Sequence, residues 1–198
     1  PTSIEQVRER VVQVAAVLKG NNRAEKVSAA YLDKFDTELA FVAEKLVGVS
    51  RPSGIFVLSE AGAVATGDTL QSVIMELAGI RNVAAAYTGY TMPAEALLAA
   101  DPDLIIVSNP PSMDYIYESE PFSRLSAASA GLIYEIGNSY VECKTPAVTD
   151  LLYALAYAVH GEAMAAGADE SAPAVSSVPV YSGEAQSSAL SESSSDNN

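Results

Sequence analysis

Tryptophan is absent from this chain of 198 residues, and cysteine and histidine occur once each, at Cys143 and His160. One cysteine excludes an internal disulfide framework, and with one histidine it argues against a zinc site built from protein ligands alone. Positive charge is scarce: 11 Lys and Arg stand against 25 Asp and Glu, for a formal net charge of −14. Nucleic-acid binders need clustered cations to meet phosphates, so the charge argues against that class. No apolar run approaches the ~18 residues of a membrane span. Serine-histidine-aspartate chemistry would have to pass through His160, and no spacing supplies an acid–base pair elsewhere. What remains is 49% apolar residue, enough for one ordinary core. The composition points away from catalysis and toward binding, with no cofactor and no metal expected.

The chain opens at Pro1 with neither an initiator Met nor a secretory apolar stretch, which reads as a processed or excised piece. Ile4, Val7, Val11, Val14 and Leu18 recur at helical spacing, and Ser3 with Gln6 can form a capping box. After Gly20-Asn21-Asn22 a second periodic run, from Ala24 through Phe35 to Leu46, predicts a helix over 22–47. At the other end, residues 161–198 contain no Lys or Arg and are rich in Ala and Ser. Few large apolar groups are available there to offset ordering entropy, so a disordered acidic tail is expected from 163 onward.

Between these ends, short apolar runs alternate with helical patterns. Gly54–Leu58, Leu104–Val107 and Leu132–Ile136 have the continuous apolarity of strands buried on both faces of a parallel sheet, with Val83–Ala86 a further short strand. Asp68 or Thr69 can cap a helix that Gly79 ends, and Pro93 can open a helix over 93–100. A Pro- and Tyr-rich loop over 109–121 leads to a short helix near Phe122–Ala128, and Thr145-Pro146 caps a last helix. The alternation predicts a three-layer α/β/α sandwich with a parallel sheet, preceded by a long connecting helix.

Gly62-x-x-x-x-Gly67-Asp68-Thr69 has the glycine spacing of a phosphate-binding loop, but Asp68 stands where that loop needs Lys. A carboxylate would repel the phosphate, so a flexible turn with Asp68 as a cap is the better reading. His160 reads as an exposed residue at a helix end, and Cys143 beside Lys144 as a small, partly buried residue. Ligands of open α/β sheets bind beyond the carboxyl ends of strands. The candidates there are Glu60 in the turn after the first strand, and Tyr87, Tyr90 and Met92 in the loop entering helix 93–100. Ser108, Asn109, Met113 and Tyr115 follow the strand 104–107. Aromatic rings with a polar tip suit a large flat or chelate-like ligand. Glu95 lies in the first turn of its helix, where its charge favours the dipole.

Several segments together carry a resemblance: GIFVLSEAGAVATGDTLQSVIMELAGIRNV, MPAEALLAADPDLIIVSN and AGLIYEIGNSYVECKTPAVTDLLYALAYAVHGE, after a long helix that follows Asn-Arg-Ala-Glu. This order resembles the C-terminal part of a helical-backbone substrate-binding protein of an ABC importer, the type that carries ferric siderophores, haem or cobalamin. The resemblance implies a non-enzymatic protein with two lobes joined by one long helix and a ligand clamped between them. It assigns residues 1–20 to the last helix of a missing N-terminal lobe, 21–48 to the inter-lobe helix, 49–162 to the C-terminal lobe and 163–198 to the tail. It implies that Glu95 pairs with Arg on the membrane-embedded permease subunit. It also implies a place in the periplasm or on the extracellular face of the membrane, with a lipid anchor in the full-length protein. The first helix would then expose its apolar stripe, favouring self-association. A module that kept the lobe fold without ligand binding is the alternative.

Overall fold

The computed structural model describes residues 2–19, 21–109, 111–137, 148–166 and 180–182. Helix α1 (Ile4–Lys19) folds back on α2 (Asn21–Lys45). The Ser3 hydroxyl accepts from the Gln6 N–H at 3.3 Å, as a helix cap should. The Gln6 side-chain oxygen accepts from the Thr2 N–H at 2.8 Å, one residue earlier than the expected box would have it. Val7 and Phe35 are buried in one cluster, and the Arg8 guanidinium grips both carboxylate oxygens of Asp36. The early part of the α1 stripe is therefore covered by its neighbour, while Val12, Val14 and Val17 stay exposed. At 1.5 Å per residue α2 is about 37 Å long. It rests on the lobe: Phe41 stacks tilted on Tyr153 at 6.1 Å, and Lys45 donates to the Ala166 carbonyl.

Among the described residues five strands form one sheet in the order β2-β1-β3-β4-β5: β1 (Ser53–Val57), β2 (Arg81–Asn82), β3 (Leu104–Asn109), β4 (Ile133–Gly137) and β5 (Val180–Ser182). The first four pair in parallel, and β5 runs antiparallel beside β4. Alternate side chains of the central strands enter two separate cores. Phe56, Leu104, Ile106 and Ile136 pack with α2, α3 (Leu70–Leu77) and the last helix, α7 (Val148–Ala165). Ile55, Val57, Ile105, Val107 and Ile133 pack on the other face, against α4 (Ala94–Ala100), α5 (Met113–Glu118), a 3₁₀ turn (Phe122–Arg124) and α6 (Ser126–Ser129). The three-layer sandwich is thus present. Asp103 locks β1 to β3 from below, accepting from the Ser53 N–H at 2.7 Å and the Ser53 hydroxyl at 2.6 Å.

Several expectations change. The second strand is Arg81–Asn82, and Val83–Ala86 is a turn. The cause is Asn82, which is buried: its Oδ1 accepts from the Ala84 N–H at 2.9 Å and turns the chain away from the sheet. Its Nδ2 donates to the Ala65 carbonyl at 2.8 Å and the Ser72 hydroxyl at 2.7 Å, tying the strand end to α3. The loop after β3 contains the helix α5. Within the segment read as tail, α7 runs to Ala165 and Val180–Ser182 pairs with β4. Thr145, Pro146 and Cys143 lie outside the described residues.

His160 is also corrected. It is 8% exposed, breaks the helical backbone of α7 (φ −125°, ψ 34°), and puts Nε2 3.3 Å from the Gly79 carbonyl. Burial holds its imidazole neutral below the ordinary histidine value of 6.5. The unfolded chain takes up that proton first, so this contribution to stability is complete above pH 6.5 and is lost as pH falls below it. The urea midpoint should therefore decline between pH 7.5 and 5.5, and His160→Gln should flatten that slope. An unchanged slope in the variant would contradict the assignment.

Candidate functional site at the carboxyl edge of the sheet

The loops that leave the carboxyl ends of β1 and β2 are stitched into one surface. After β1 the chain doubles back through a tight turn, with the Leu58 N–H donating to the Ala63 carbonyl at 2.7 Å and the Gly62 N–H to the Ser59 carbonyl at 3.0 Å. Gly62 has φ +80°, which a residue with a Cβ adopts at a cost. Glu60 sits at the exposed tip of this turn. Val64 then bridges back to Val57, and the β2 loop runs alongside. The Val64 N–H donates to the Tyr90 carbonyl and the Gly67 N–H to the Tyr87 carbonyl, each at 3.0 Å.

Gly67 is required by this approach. A Cβ built there would stand 2.0 Å from the Ala85 carbonyl oxygen. The glycine spacing that resembles a phosphate loop therefore serves a backbone contact between two loops. Thr69 is the helix cap, accepting from the Ser72 N–H at 3.2 Å, and Asp68 has another task. Its carboxylate accepts from the Thr66 hydroxyl at 2.6 Å and from the Gly89 N–H at 3.0 Å. Those two donors hold its pKa below the usual carboxylate range, the Thr66 hydroxyl contributing most.

The structure brings Glu60, Tyr87, Tyr90 and Met92 to these two joined loops. Tyr90 is 50% exposed, Glu60 is exposed, and Tyr87 and Met92 are half-buried against the core below. The residues after β3 divide differently. Ser108 is fully buried and its hydroxyl donates to the Leu58 carbonyl at 3.1 Å, bracing the two strand ends. Met113 is buried with Ile116, and its N–H donates to the Glu135 carboxylate at 3.0 Å. Neither side chain is presented at the surface. Tyr115 is half-buried and leans on Phe122 at 6.0 Å. Asn109 ends β3 opposite Gly137, and its side chain lies outside the described residues. Glu95 is exposed in the first turn of α4, the helix that the β2 loop feeds. Sequence reasoning missed the role of Asp68; its signal is a Gly-Asp-Thr triplet whose threonine already suffices as the cap.

Residues 1–140 match the family model described as periplasmic binding protein. The chain belongs to the periplasmic binding protein family. No curated protein matches it by sequence. Among solved structures, it is similar to Helicobacter pylori CeuE in a Ni-His complex, with 22% identity, a TM-score of 0.71, and coverage of 82% of this chain and 53% of that one. A periplasmic heme-binding protein from Pseudomonas aeruginosa matches at 21% identity and a TM-score of 0.65, over 79% of this chain and 60% of its own. The periplasmic heme-binding protein RhuT from Roseiflexus, in apo form, matches at 22% identity and a TM-score of 0.65, over 80% of this chain and 65% of its own. At such identities the likeness is one of fold, and the chain spans about half the length of the CeuE structure. The family is one of solute-binding proteins. Among the described residues no group of three or more His, Cys, Asp or Glu could hold a metal ion, and no helix is long and apolar enough to cross a membrane.

Gly67→Ala should separate the two loops and destabilise the chain by ~2 kcal/mol, a typical cost of forcing an atom into filled space. Gly161→Ala, where a Cβ meets nothing within 4 Å, should be neutral or mildly stabilising. Equal urea midpoints for the two variants would show that the loop contact is not as described.

Proposed function

We propose that this chain is the solute-binding component of an ABC importer, taking a ferric chelate of the haem or siderophore class, with cobalamin as a further candidate. The observation that carries the reading is the joined pair of loops at the carboxyl edge of the sheet, which offers the half-exposed ring of Tyr90 beside Tyr87 and Met92. Phenolic rings can stack on a conjugated ligand or bring an oxygen to ferric iron. Heme-binding and Ni-His-binding proteins share this fold, which supports a metal-chelate ligand. In the whole protein this edge is one wall of a cleft, with a second lobe as the other, and closure captures the ligand. The family supports a place in the periplasm or on the extracellular face of the membrane; lipid anchoring belongs to the same proposal.

Glu95 is the docking residue in this reading. It is exposed at the start of a helix whose first turn faces the same edge as the ligand loops. A permease seated over the cleft would meet this carboxylate with an arginine.

Hemin added to the chain should give a saturable shift of the Soret band that weakens in Tyr90→Phe or Tyr87→Phe. A ferric hydroxamate, followed by tyrosine fluorescence, and cobalamin serve as the parallel ligands. Response to none of the three would favour the alternative, an interaction module that kept the lobe without its ligand. In the whole protein Glu95→Lys should abolish transport and leave ligand affinity unchanged; intact transport would remove Glu95 from the docking surface.

A further inference from the structure

We propose that Thr66 and Asp68 are positioning residues that hold Tyr90 in a left-handed backbone pose, so that its ring is presented to the ligand. The inference deepens the function proposed above and rests on it. Gly89 and Tyr90 are successive left-handed residues, with φ of +70° and +62°. Glycine takes that conformation freely, whereas any side chain with a Cβ is crowded by the following carbonyl. Glycine or asparagine would suit position 90 better than tyrosine.

The strained residue is nonetheless clamped from both sides. Its N–H donates to the Thr66 hydroxyl oxygen at 3.0 Å, and its carbonyl accepts from the Val64 N–H at 3.0 Å. The Thr66 hydroxyl in turn donates to Asp68, and the second arm of that carboxylate takes the Gly89 N–H. One threonine hydroxyl therefore accepts from Tyr90 and donates to Asp68, and its hydrogen-bonding directions are set by both. Thr66 is fully buried, which excludes water as a substitute partner. Asp68, though exposed, is kept ionised to low pH by the same donors.

The ring that this arrangement fixes is half-exposed and contributes little to the core. Folding alone gives no reason for a tyrosine there. Strain of this kind persists where the surrounding structure over-determines it, and it collects at ligand-contacting positions. The chemistry offered is a flat π-face with a phenol oxygen at its tip, half-exposed on the edge where the ligand is proposed to lie.

The test compares Tyr90→Gly with Tyr90→Ala in the full chain, together with Asp68→Ala and Thr66→Val. Ala keeps the Cβ and its strain, so Tyr90→Gly should unfold ~3 °C above Tyr90→Ala, the reverse of the usual ranking of these residues. Asp68→Ala and Thr66→Val should each speed hydrogen exchange at the Gly89 and Tyr90 amides. With hemin as the probe, Asp68→Ala should weaken binding ~5-fold, and the loss should vanish when Tyr90 is already Ala. A Tyr90→Gly variant no more stable than Tyr90→Ala overturns the proposal, as do losses from Asp68→Ala and Tyr90→Ala that simply add. If the wild-type chain takes no hemin, the haem reading above fails by itself. The left-handed pose is then decided by the stability and exchange measurements, which need no ligand.

Discussion

Strands β1 and β3 lie side by side in parallel register, Gly54 opposite Leu104 through Val57 opposite Val107, and every one of these residues is buried. Helices cover the strands on both faces, so no functional group can emerge from the middle of the sheet. The strand ends are the places left. At the amino ends, Asp103 closes on Ser53, and Arg51 pairs with Glu76 over a hollow of about 200 Å³ that His160 and Leu46 help to line. At the carboxyl ends the chain must leave the sheet in loops, and there the exposed Tyr90 and the half-buried Tyr87 lie.

Those loops are not independent. Backbone hydrogen bonds from Val64 and Gly67 cross to Tyr90 and Tyr87, and Asp68 reaches across to Gly89. Asn82 anchors the pair from beneath by binding the Ala65 carbonyl and closing the turn at Ala84. An edge made this way keeps its shape without a ligand, and in the proposed role that lowers the ordering entropy that capture must overcome. The net negative charge of the chain does not oppose this, because the potential at the edge is set by the few charges near it. Glu60 and Asp68 stand there, and Asp68 already has two donors.

Much of the fold was legible in the sequence because buried parallel strands are written as unbroken apolar runs: Gly54–Leu58, Leu104–Val107 and Leu132–Ile136 each lie within one residue of a strand. Helix α3 with Thr69 as its cap, and the long helix α2, were legible for the same local reason. What was hidden depends on distant partners. Two residues of β2 have no periodicity, and their end is set by an asparagine side chain. His160 looked like a helix terminus, yet it meets Gly79 across 81 positions of sequence. Ser108 and Met113 sit at a strand end where ligands bind in such folds, but their neighbours Leu58 and Ile116 draw them inward. Tyr90 could be named as a candidate from its type and place, whereas its left-handed backbone and its link to Asp68 could not.

We propose that ligand is met at the loops 58–68 and 87–93. Mapping amide shifts while a diamagnetic gallium porphyrin is added to the isotopically labelled chain tests it most directly. The shifts should concentrate in those two loops and at the start of α4. Shifts centred instead on Leu46, Arg51 and His160 at the opposite end would contradict it.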